Sequence, residues 1–200
     1  MRYPRALGTG DGGRNIDCAK RAIPYRIETE RLVLRCWQPQ DACLLKEAID
    51  SSLDHLRPWM PWAAYEPQSV EAKAERLRTF RGEFDLDRNY VYGILARDER
   101  LVVGGTGLHA RSGDGSLEIG YWVRASHVGR GFATEASAAL VKVAFEVVKV
   151  ERVEIPCRPD NAASAAVPRK LGFTHEATRR EITREADGTA SDSMIWTILA

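Results

Sequence analysis

The segment from Asn89 to Val123 constrains the fold most, because its residues alternate between apolar and polar over three successive stretches. Sequences typical of turns separate the stretches, RDER at 97–100 and SGDGS at 112–116. A period of two residues is the spacing of a strand with one buried face, so the segment predicts an antiparallel meander of three strands. In the last strand one face carries Leu117, Ile119, Tyr121 and Val123, and the other carries Glu118, Gly120 and Trp122.

The flanking sequence predicts further strands and several helices. Strands are expected at Arg26–Cys36, 150–157, 173–184 and 193–199, the last two joined by a turn at Asp187–Gly188, and helices at 42–49, 69–85, 134–149 and 161–171. We therefore expect an α+β fold in which helices cover a mixed, mostly antiparallel sheet. Residues 23–200 form a single domain in this interpretation. Residues 1–22 contain four glycines and no sustained periodicity, so we expect a flexible extension there.

Composition argues against several classes of protein. The 200 residues carry 29 Lys and Arg against 28 Asp and Glu, and the formal net charge of +1 is too small for a dedicated binder of nucleic acid or anionic membranes. No apolar run approaches the ~20 residues that span a bilayer, and the N-terminus lacks an apolar signal-peptide core, so we expect a cytoplasmic protein. Neither a CxxC pair nor a histidine at zinc-finger spacing accompanies the cysteines, so we expect no metal site and reduced thiols at Cys18, Cys36, Cys43 and Cys157.

Two tryptophans and three prolines are concentrated in the segment HLRPWMPWAAYEP. Pro58, Pro61 and Pro67 prevent a continuous helix, so the segment is expected to be a shaped loop. Two interpretations of its aromatic residues stay open. Trp59 and Trp62 either fill the underside of the core or form a wall that faces a substrate.

A second unusual segment is HVGRGFA, which lies between the last strand of the meander and the start of a helix. Unpaired N–H groups at a helix N-terminus attract anions, and Gly129 and Gly131 allow the backbone to approach a phosphate closely. Arg130 adds a positive charge. A glycine-rich turn without a ligand has a similar sequence, so the segment alone does not decide. The third glycine of GxGxxG is missing and no GxxxxGK[ST] occurs, which argues against the dinucleotide and P-loop folds.

Several motifs together resemble the GNAT superfamily of acyl-CoA-dependent N-acetyltransferases. GRGFATEA follows EIGYWV, and NAASAAVPRKLGF comes one helix and one strand later. IETERLVLR, HLRPWMPW and Asp192 before MIWTIL are similar to the RimJ/RimL-like group of ribosomal-protein N-acetyltransferases. The resemblance runs from about Ile27 to Leu199. It implies a twisted sheet of about seven strands with helices on both faces, acetyl-CoA as cosubstrate, an amine acceptor and no metal, and it allows a homodimer.

The resemblance also assigns residues to the binding of acetyl-CoA. The pyrophosphate loop of the family corresponds to Val128, Gly129, Arg130, Gly131, Phe132 and Ala133, with the backbone N–H groups of 129–134, including Thr134, as donors. Val128 departs from the polar residue usual at its position. The strand 117–123 is expected to splay from its neighbour, so that the pantetheine arm pairs with backbone near Trp122, Val123 and Arg124. Asn161 matches the asparagine of the family, although an ordinary helix N-cap explains it as well.

Acetyl transfer to an amine requires a base, and protonation of the departing thiolate requires an acid. Glu118 is the candidate base, with an ion pair to Arg124 or Arg111 as the alternative explanation. His109, on the preceding strand, is a weaker candidate near the acceptor. Many members of the family place a tyrosine acid where this chain has Pro168. The RimJ/RimL-like pattern instead points to Ser164 as the acid, and the alternative is a merely structural polar group.

An N-terminal α-amine is the expected acceptor because its pKa, near ~8, leaves more of it neutral than a lysine with a pKa near ~10.4. Trp59, Trp62 and His109 are the residues expected to bind it. Two alternatives stay open: the acetylation of a small amine, such as an antibiotic or polyamine, and a module that binds acyl-CoA without turnover.

Overall fold

A twisted sheet forms the centre of the molecule in the computed structural model, which describes residues 23–110, 115–184 and 188–200. Within these residues the strands are β1 Arg26–Glu28, β2 Leu32–Cys36, β3 Asn89–Ala96, β4 Val102–His109, β5 Ser116–Val123, β6 Arg152–Cys157, β7 Thr174–Arg184 and β8 Ala190–Leu199. Their order in the sheet is β1-β2-β3-β4-β5-β6-β8-β7. Every neighbouring pair in this order is antiparallel except β5 and β6, which are parallel.

Helices cover both faces of the sheet. Among the described residues they are α1 Ala42–Asp50, α2 Leu53–Leu56, α3 Val70–Asp85, α4 Phe132–Val143 and α5 Ala162–Lys170. One buried cluster joins α1 and α3 to the sheet, and the cluster on the opposite face joins α4 and α5 to it. Apolar residues on alternate positions of the strands supply both clusters, for example Leu95 to the first and Ile94 to the second. The predicted fold class, a mostly antiparallel mixed sheet with helices on both faces, is confirmed.

The predicted first strand is wrong in one respect, because residues 26–36 form two strands joined by a tight turn. The Thr29 N–H donates to the Leu32 carbonyl at 3.0 Å, and Arg26 lies opposite Arg35 in the resulting hairpin. The turn contains neither glycine nor proline, so the alternation of Leu32 and Leu34 gave no sign of it. The sheet therefore has eight strands within the described residues, where about seven were expected.

Smaller differences concern the ends of elements. The helix expected from Thr134 begins at Phe132, and its last turn, 144–148, is a π-helix that ends at Lys149 with a φ of 66°. The last strand begins at Ala190, three residues before the expected start. The short helix α2 was not predicted. The extension 1–22, residues 112–114 of the SGDGS turn and Asp187 of the final turn lie outside the described residues.

Side-chain caps begin two of the helices. The Ser69 side chain accepts a hydrogen bond from the Ala72 N–H at the start of α3, as an N-cap does. Asn161 caps α5 in the same way. After α5 the chain turns at Gly172, whose φ is 80°, a backbone conformation that residues with a Cβ rarely adopt.

The feature of the sheet that positions the site is the separation of β5 from β6. The two strands pair only from Ser116–Arg152 to Glu118–Glu154, although β5 continues to Val123. Beyond Glu154, β6 stays paired with β8 as far as Cys157. The carboxyl-terminal half of β5 therefore leaves an open edge within the sheet, as the resemblance implied. The N-termini of α4 and α5 lie beside that edge.

Candidate functional site

A cavity of about 590 Å³ lies at the open edge of β5. Its wall is formed by the end of β5, the loop and first turn of α4, the first two turns of α5 and the segment around α2. Of the residues predicted for cofactor and substrate binding or catalysis, those that line the cavity are Trp59, Trp122, Val123, Val128, Gly129, Gly131, Phe132, Ala133, Thr134, Asn161 and Ser164. The folded chain thus brings together residues that are more than 100 positions apart in the sequence.

The loop before α4 has the geometry of an anion site. Gly129 and Gly131 have φ values of 73° and 80°, and Gly131 is the N-cap of α4 without any side chain that caps the helix. A Cβ on Gly129 would meet no atom within 4 Å, so backbone conformation and not crowding favours glycine there. The first N–H groups of a helix have no partner within the helix, and the positive end of the helix dipole lies at the same place. The loop therefore suits a phosphate or pyrophosphate.

Positive side chains surround this loop without lining the cavity. Arg130 is exposed, and the Arg124 guanidinium donates from Nη1 to Glu47 at 2.7 Å. Burial, followed by the charges of Arg130 and Arg124, lowers the pKa of His127, which does line the cavity. His127 therefore adds little positive charge at neutral pH. The positive potential at the loop therefore comes mainly from backbone N–H groups, with the arginine charges at its margin.

The open edge of β5 has backbone groups available for pairing. The Arg124 N–H donates to the Val103 carbonyl at 2.8 Å, so the backbone of Arg124 faces β4. Because the direction of the backbone N–H and C=O groups alternates along a strand, those of Trp122 also face β4. The backbone groups of Tyr121 and Val123 face the open edge. Of the three residues predicted to pair with the pantetheine arm, only Val123 therefore directs its backbone groups toward the cavity.

Ser164 lies on the first turn of α5, opposite the hydroxyl of Tyr121 from β5. The Tyr121 hydroxyl donates to the Ser164 carbonyl at 3.0 Å and lies 3.1 Å from Ser164 Oγ. Pro168, four residues later, has no N–H, so it cannot supply the helical hydrogen bond to that carbonyl. Tyr121 supplies the missing donor. Burial raises the pKa of Tyr121, and the bond with Ser164 opposes that rise only in part, so the phenol stays protonated.

Asn161 is an N-cap that also lies at the cavity. Its side chain accepts a hydrogen bond of 2.9 Å from the Ser164 N–H, which makes it the N-cap of α5, and it also lines the cavity. Capping fixes the first turn of α5 and with it the position of the Ser164 side chain.

Glu118 and His109 lie opposite each other on β5 and β4 and do not line the cavity. Glu118 occupies the last paired position before β5 and β6 separate. The His109 ring packs over two glycines, since a Cβ built on Gly107 would stand 2.8 Å from it and one on Gly120 would stand 3.5 Å away. The space beside Gly120 is therefore filled by the histidine ring.

His109 also has a defined hydrogen-bond partner. Its Nδ1 lies 2.5 Å from Asn89 Oδ1, and the amide nitrogen of Asn89 donates to Glu83 at 3.0 Å. Because Oδ1 can only accept, His109 Nδ1 carries the proton and donates. The histidine is thus part of the packing between β3, β4 and β5.

The two tryptophans of the proline-rich segment have different environments. Trp59 lines the cavity, and the guanidinium of Arg158 lies 5.5 Å from its ring centroid. Trp62 packs edge-on against Trp122, with ring centroids 6.0 Å apart, in the cluster beneath α1 and α3. Trp59 therefore forms part of the cavity wall, whereas Trp62 is half-buried and packs against the core.

Comparison with known proteins shows the family. The sequence profile of the acetyltransferase (GNAT) domain matches residues 31–174. The chain belongs to the GNAT acetyltransferase family. Its class of activity is that of an N-acetyltransferase, and its similarity to proteins of the ribosomal-protein acetyltransferase group agrees with the motifs described above.

Three of the similar proteins illustrate the range of this GNAT acetyltransferase's relatives. Uncharacterized N-acetyltransferase YoaA of Bacillus subtilis is 29% identical over 174 residues, which are 86% of this chain and 96% of YoaA. Ribosomal-protein-serine acetyltransferase of Escherichia coli is 27% identical over 125 residues, 62% of this chain and 70% of that protein. The structure of Mycobacterium smegmatis RimJ in complex with CoA-disulfide is 28% identical, with a TM-score of 0.73 over 84% of this chain and 82% of RimJ.

Sequence reasoning about this acetyltransferase missed several residues of the cavity. Tyr121, His55, Met60 and Lys170 line it, together with Asp160. The alternation of β5 already placed Tyr121 on the face that α4 and α5 cover, so its presence near Ser164 had a signal in the sequence. His55 and Met60 had none, because they belong to α2 and the turn after it. Among the described residues no group of three or more His, Cys, Asp or Glu side chains forms a metal site, and no helix is long and apolar enough to cross a membrane.

Proposed function

We propose that this acetyltransferase transfers the acetyl group of acetyl-CoA to the N-terminal α-amine of a protein or peptide. The observation that carries the proposal is the uncapped N-terminus of α4, with Gly129 and Gly131 at positive φ, opening into the same cavity as Ser164. An anion site and a hydroxyl group in one cavity suit a thioester that carries phosphates. The CoA-disulfide bound by the RimJ relative supports this choice of cosubstrate.

The described residues fit acetyl-CoA in two places. The N–H groups of 129–134 would hold the pyrophosphate. The backbone of Tyr121 and Val123, at the open edge of β5, would pair with the amide groups of the pantetheine arm as an added strand does. Bound there, acetyl-CoA supplies an activated acyl group whose leaving group is a thiolate. A pantetheine arm that runs along the open edge from the α4 loop would bring the thioester toward Ser164 and Tyr121.

The reaction we propose is a direct attack in a ternary complex. The neutral amine forms a bond to the thioester carbonyl carbon, the C–S bond breaks, and the amine loses a proton as the thiolate gains one. Ser164 would donate a hydrogen bond or proton from Oγ to the departing sulfur. Tyr121 would position the Ser164 hydroxyl, because its phenol lies 3.1 Å from Oγ and stays protonated at neutral pH, and Ser164 would regain its proton from water.

A weaker base suffices if the acceptor is an α-amine. With a pKa near ~8, roughly a tenth of such an amine is already neutral at pH 7. Glu118 does not line the cavity, so we propose that it acts through water from its position where β5 and β6 separate. The name of the Escherichia coli ribosomal-protein-serine acetyltransferase supports a protein acceptor, and Trp59 would form one wall of its site.

The experiment that tests the proposal measures thiol release from acetyl-CoA with a panel of peptides that have free N-termini and a matched panel of small amines. Thiol release with the peptides, and none with N-terminally blocked copies of them, is the expected result. Release with small amines alone would replace the proposed acceptor by a small molecule. Tight binding of acetyl-CoA without release for any acceptor would show a binding module instead of an enzyme.

A further inference from the structure

The turn between β1 and β2 is attached to the first turn of α4, more than 100 residues away in the sequence. Glu135 Oε1 accepts hydrogen bonds from the Thr29 hydroxyl at 2.6 Å and from the Arg31 N–H at 2.9 Å. Glu135 Oε2 accepts from Arg31 Nε at 2.7 Å, and Arg31 Nη2 lies 2.6 Å from the same oxygen. Both oxygens of one carboxylate therefore hold the turn in place.

Arg31 also contacts the glycine loop itself. Its Nη1 donates to the carbonyl of Arg130 at 2.9 Å, and its guanidinium carbon lies 4.6 Å from the centroid of the Phe132 ring. Phe132 lines the cavity, whereas Arg31 does not. The arginine therefore lies behind the loop, on the side away from the proposed pyrophosphate.

The bond to the Arg130 carbonyl fixes one peptide group of the loop. In a trans peptide the C=O of one residue and the N–H of the next point in opposite directions. Because the Arg130 carbonyl points toward Arg31, the Gly131 N–H points away from it, toward the cavity that Gly131 lines. Gly131, on one side of this peptide group, makes it easier to rotate, so a fixed partner for its carbonyl has a large effect on its orientation.

The charge of Arg31 has a second consequence. Glu135 is an anion in the first turn of the helix whose N-terminus would bind another anion. Burial alone would raise the pKa of Glu135, but hydrogen bonds from Thr29 and from the backbone and side chain of Arg31 hold it below its usual value. Glu135 is therefore ionised at neutral pH. Without the guanidinium its charge would repel the phosphates of the cosubstrate.

From these contacts we infer that Arg31 is a positioning residue for the pyrophosphate loop, which fixes the Arg130–Gly131 peptide with the Gly131 N–H toward the cavity and neutralises Glu135. The inference rests on the proposed use of acetyl-CoA. It gives a role to Arg31 in the motif IETERLVLR, none of whose residues was assigned to the site.

The test compares Arg31→Met with Arg26→Met, because Arg26 lies on the same hairpin, is similarly exposed and pairs only with Glu28 and Glu99 in the described structure. Calorimetric titration with CoA should give a dissociation constant about tenfold higher for Arg31→Met, as expected for the loss of one charge-assisted hydrogen bond. Arg26→Met should match the wild type. Arg31→Lys should be intermediate, because an ammonium group cannot hold Glu135 and the Arg130 carbonyl in the same fork-like geometry.

A second measurement separates positioning of the loop from general damage to the fold. With S-acetylpantetheine, which lacks the pyrophosphate, kcat/KM of Arg31→Met should equal that of the wild type, whereas with acetyl-CoA the KM should rise and kcat should stay the same. Adding Glu135→Gln to Arg31→Met should recover part of the lost CoA affinity. An unchanged dissociation constant for Arg31→Met, an equal loss with both acyl donors, or wild-type affinity in Arg31→Lys would overturn the inference. CoA binding without turnover in the wild type would instead contradict the proposed function alone.

Discussion

The hydroxyl of Tyr121 on β5 donates to the carbonyl of Ser164 on α5, at 3.0 Å, and thereby supplies the hydrogen bond that Pro168 cannot make. Tyr121, on a neighbouring strand, thus compensates for the interruption of the helical hydrogen bonds by Pro168. The same phenol lies 3.1 Å from Ser164 Oγ. The hydrogen bonding of α5 and the position of the proposed proton donor, Ser164, therefore both depend on the Tyr121 side chain.

Replacement of Ser164 by alanine should lower kcat by about a hundredfold, the lower end of what a positioned proton donor contributes. The dissociation constant for acetyl-CoA should stay the same, because Ser164 lies at the thioester end of the cavity and not at the phosphate loop. Steady-state kinetics and calorimetry measure the two quantities. An unchanged kcat would remove Ser164 from the mechanism.

The matched variant is Tyr121→Phe, which removes only the hydroxyl. If Tyr121 acts through Ser164, Tyr121→Phe should lower kcat by a smaller factor than Ser164→Ala, and the double variant should be no slower than Ser164→Ala alone. Independent, multiplicative losses would show that the two hydroxyls do not act as a pair.

Replacement of Gly131 by valine should weaken acetyl-CoA binding by about tenfold or more, because a β-branched residue at a φ of 80° costs ~1–3 kcal/mol and disturbs the loop. Gly188→Val is a suitable control, since Gly188 has a φ of 84° and a Cβ there would meet no atom within 4 Å. It should lower the melting temperature without changing affinity. Equal affinities of both variants for acetyl-CoA would contradict the assignment of the loop to pyrophosphate binding.

The ion pair between Glu135 and Arg31 predicts a pH dependence of stability. The pKa of Glu135 is lower in the folded protein than in the unfolded chain, so the unfolded chain binds more protons between the two values. The contribution of Glu135 is therefore complete above its unfolded pKa, near ~4.3, and is lost as pH falls through the folded value. Urea unfolding of the wild type and Glu135→Gln should differ at pH 7 and converge in acid. A difference that persists at pH 2 would contradict this account.

A buried ion pair between Lys73 and Glu66 supports the segment that carries Trp59. Both side chains are almost completely buried, at 2% and 5% exposure, and Glu66 Oε2 also accepts from the Gln68 N–H at 2.9 Å. Lys73→Met should lower the free energy of unfolding by ~3–5 kcal/mol, because it leaves a buried carboxylate without its partner. Adding Glu66→Gln should recover much of this loss in urea unfolding. If the double variant recovers no stability, the packing of the lysine stem, and not its charge, accounts for the loss.

Periodicity predicted most of the sheet and helices because burial imposes it directly on the sequence. Alternation in β5 put Tyr121 on the correct face, but it carried no information on what the hydroxyl meets, since Ser164 is 43 residues away. The turn at Thr29 escaped prediction because side-chain and backbone hydrogen bonds form it without glycine or proline. Trp59 and Trp62 looked alike in sequence, and only tertiary packing distinguishes a cavity wall from a core residue.

Residues of the glycine loop were predictable because their chemistry is local: positive φ, a helix N-terminus and the absence of a capping side chain all lie within a few positions. The contacts of Arg31 were not predictable, because they join the first hairpin to α4. The position of Glu118 outside the cavity was also hidden, since it depends on where β5 and β6 separate.

A peptide with a free N-terminus and one internal lysine, incubated with acetyl-CoA and the purified protein, distinguishes acetylation of the α-amine from acetylation of a side chain. Tandem mass spectrometry then locates the added acetyl group. We expect one acetyl group on the α-amine and none on the lysine, at a rate that Ser164→Ala reduces. Acetylation of the lysine, or of neither amine while small amines are acetylated, would contradict this expectation.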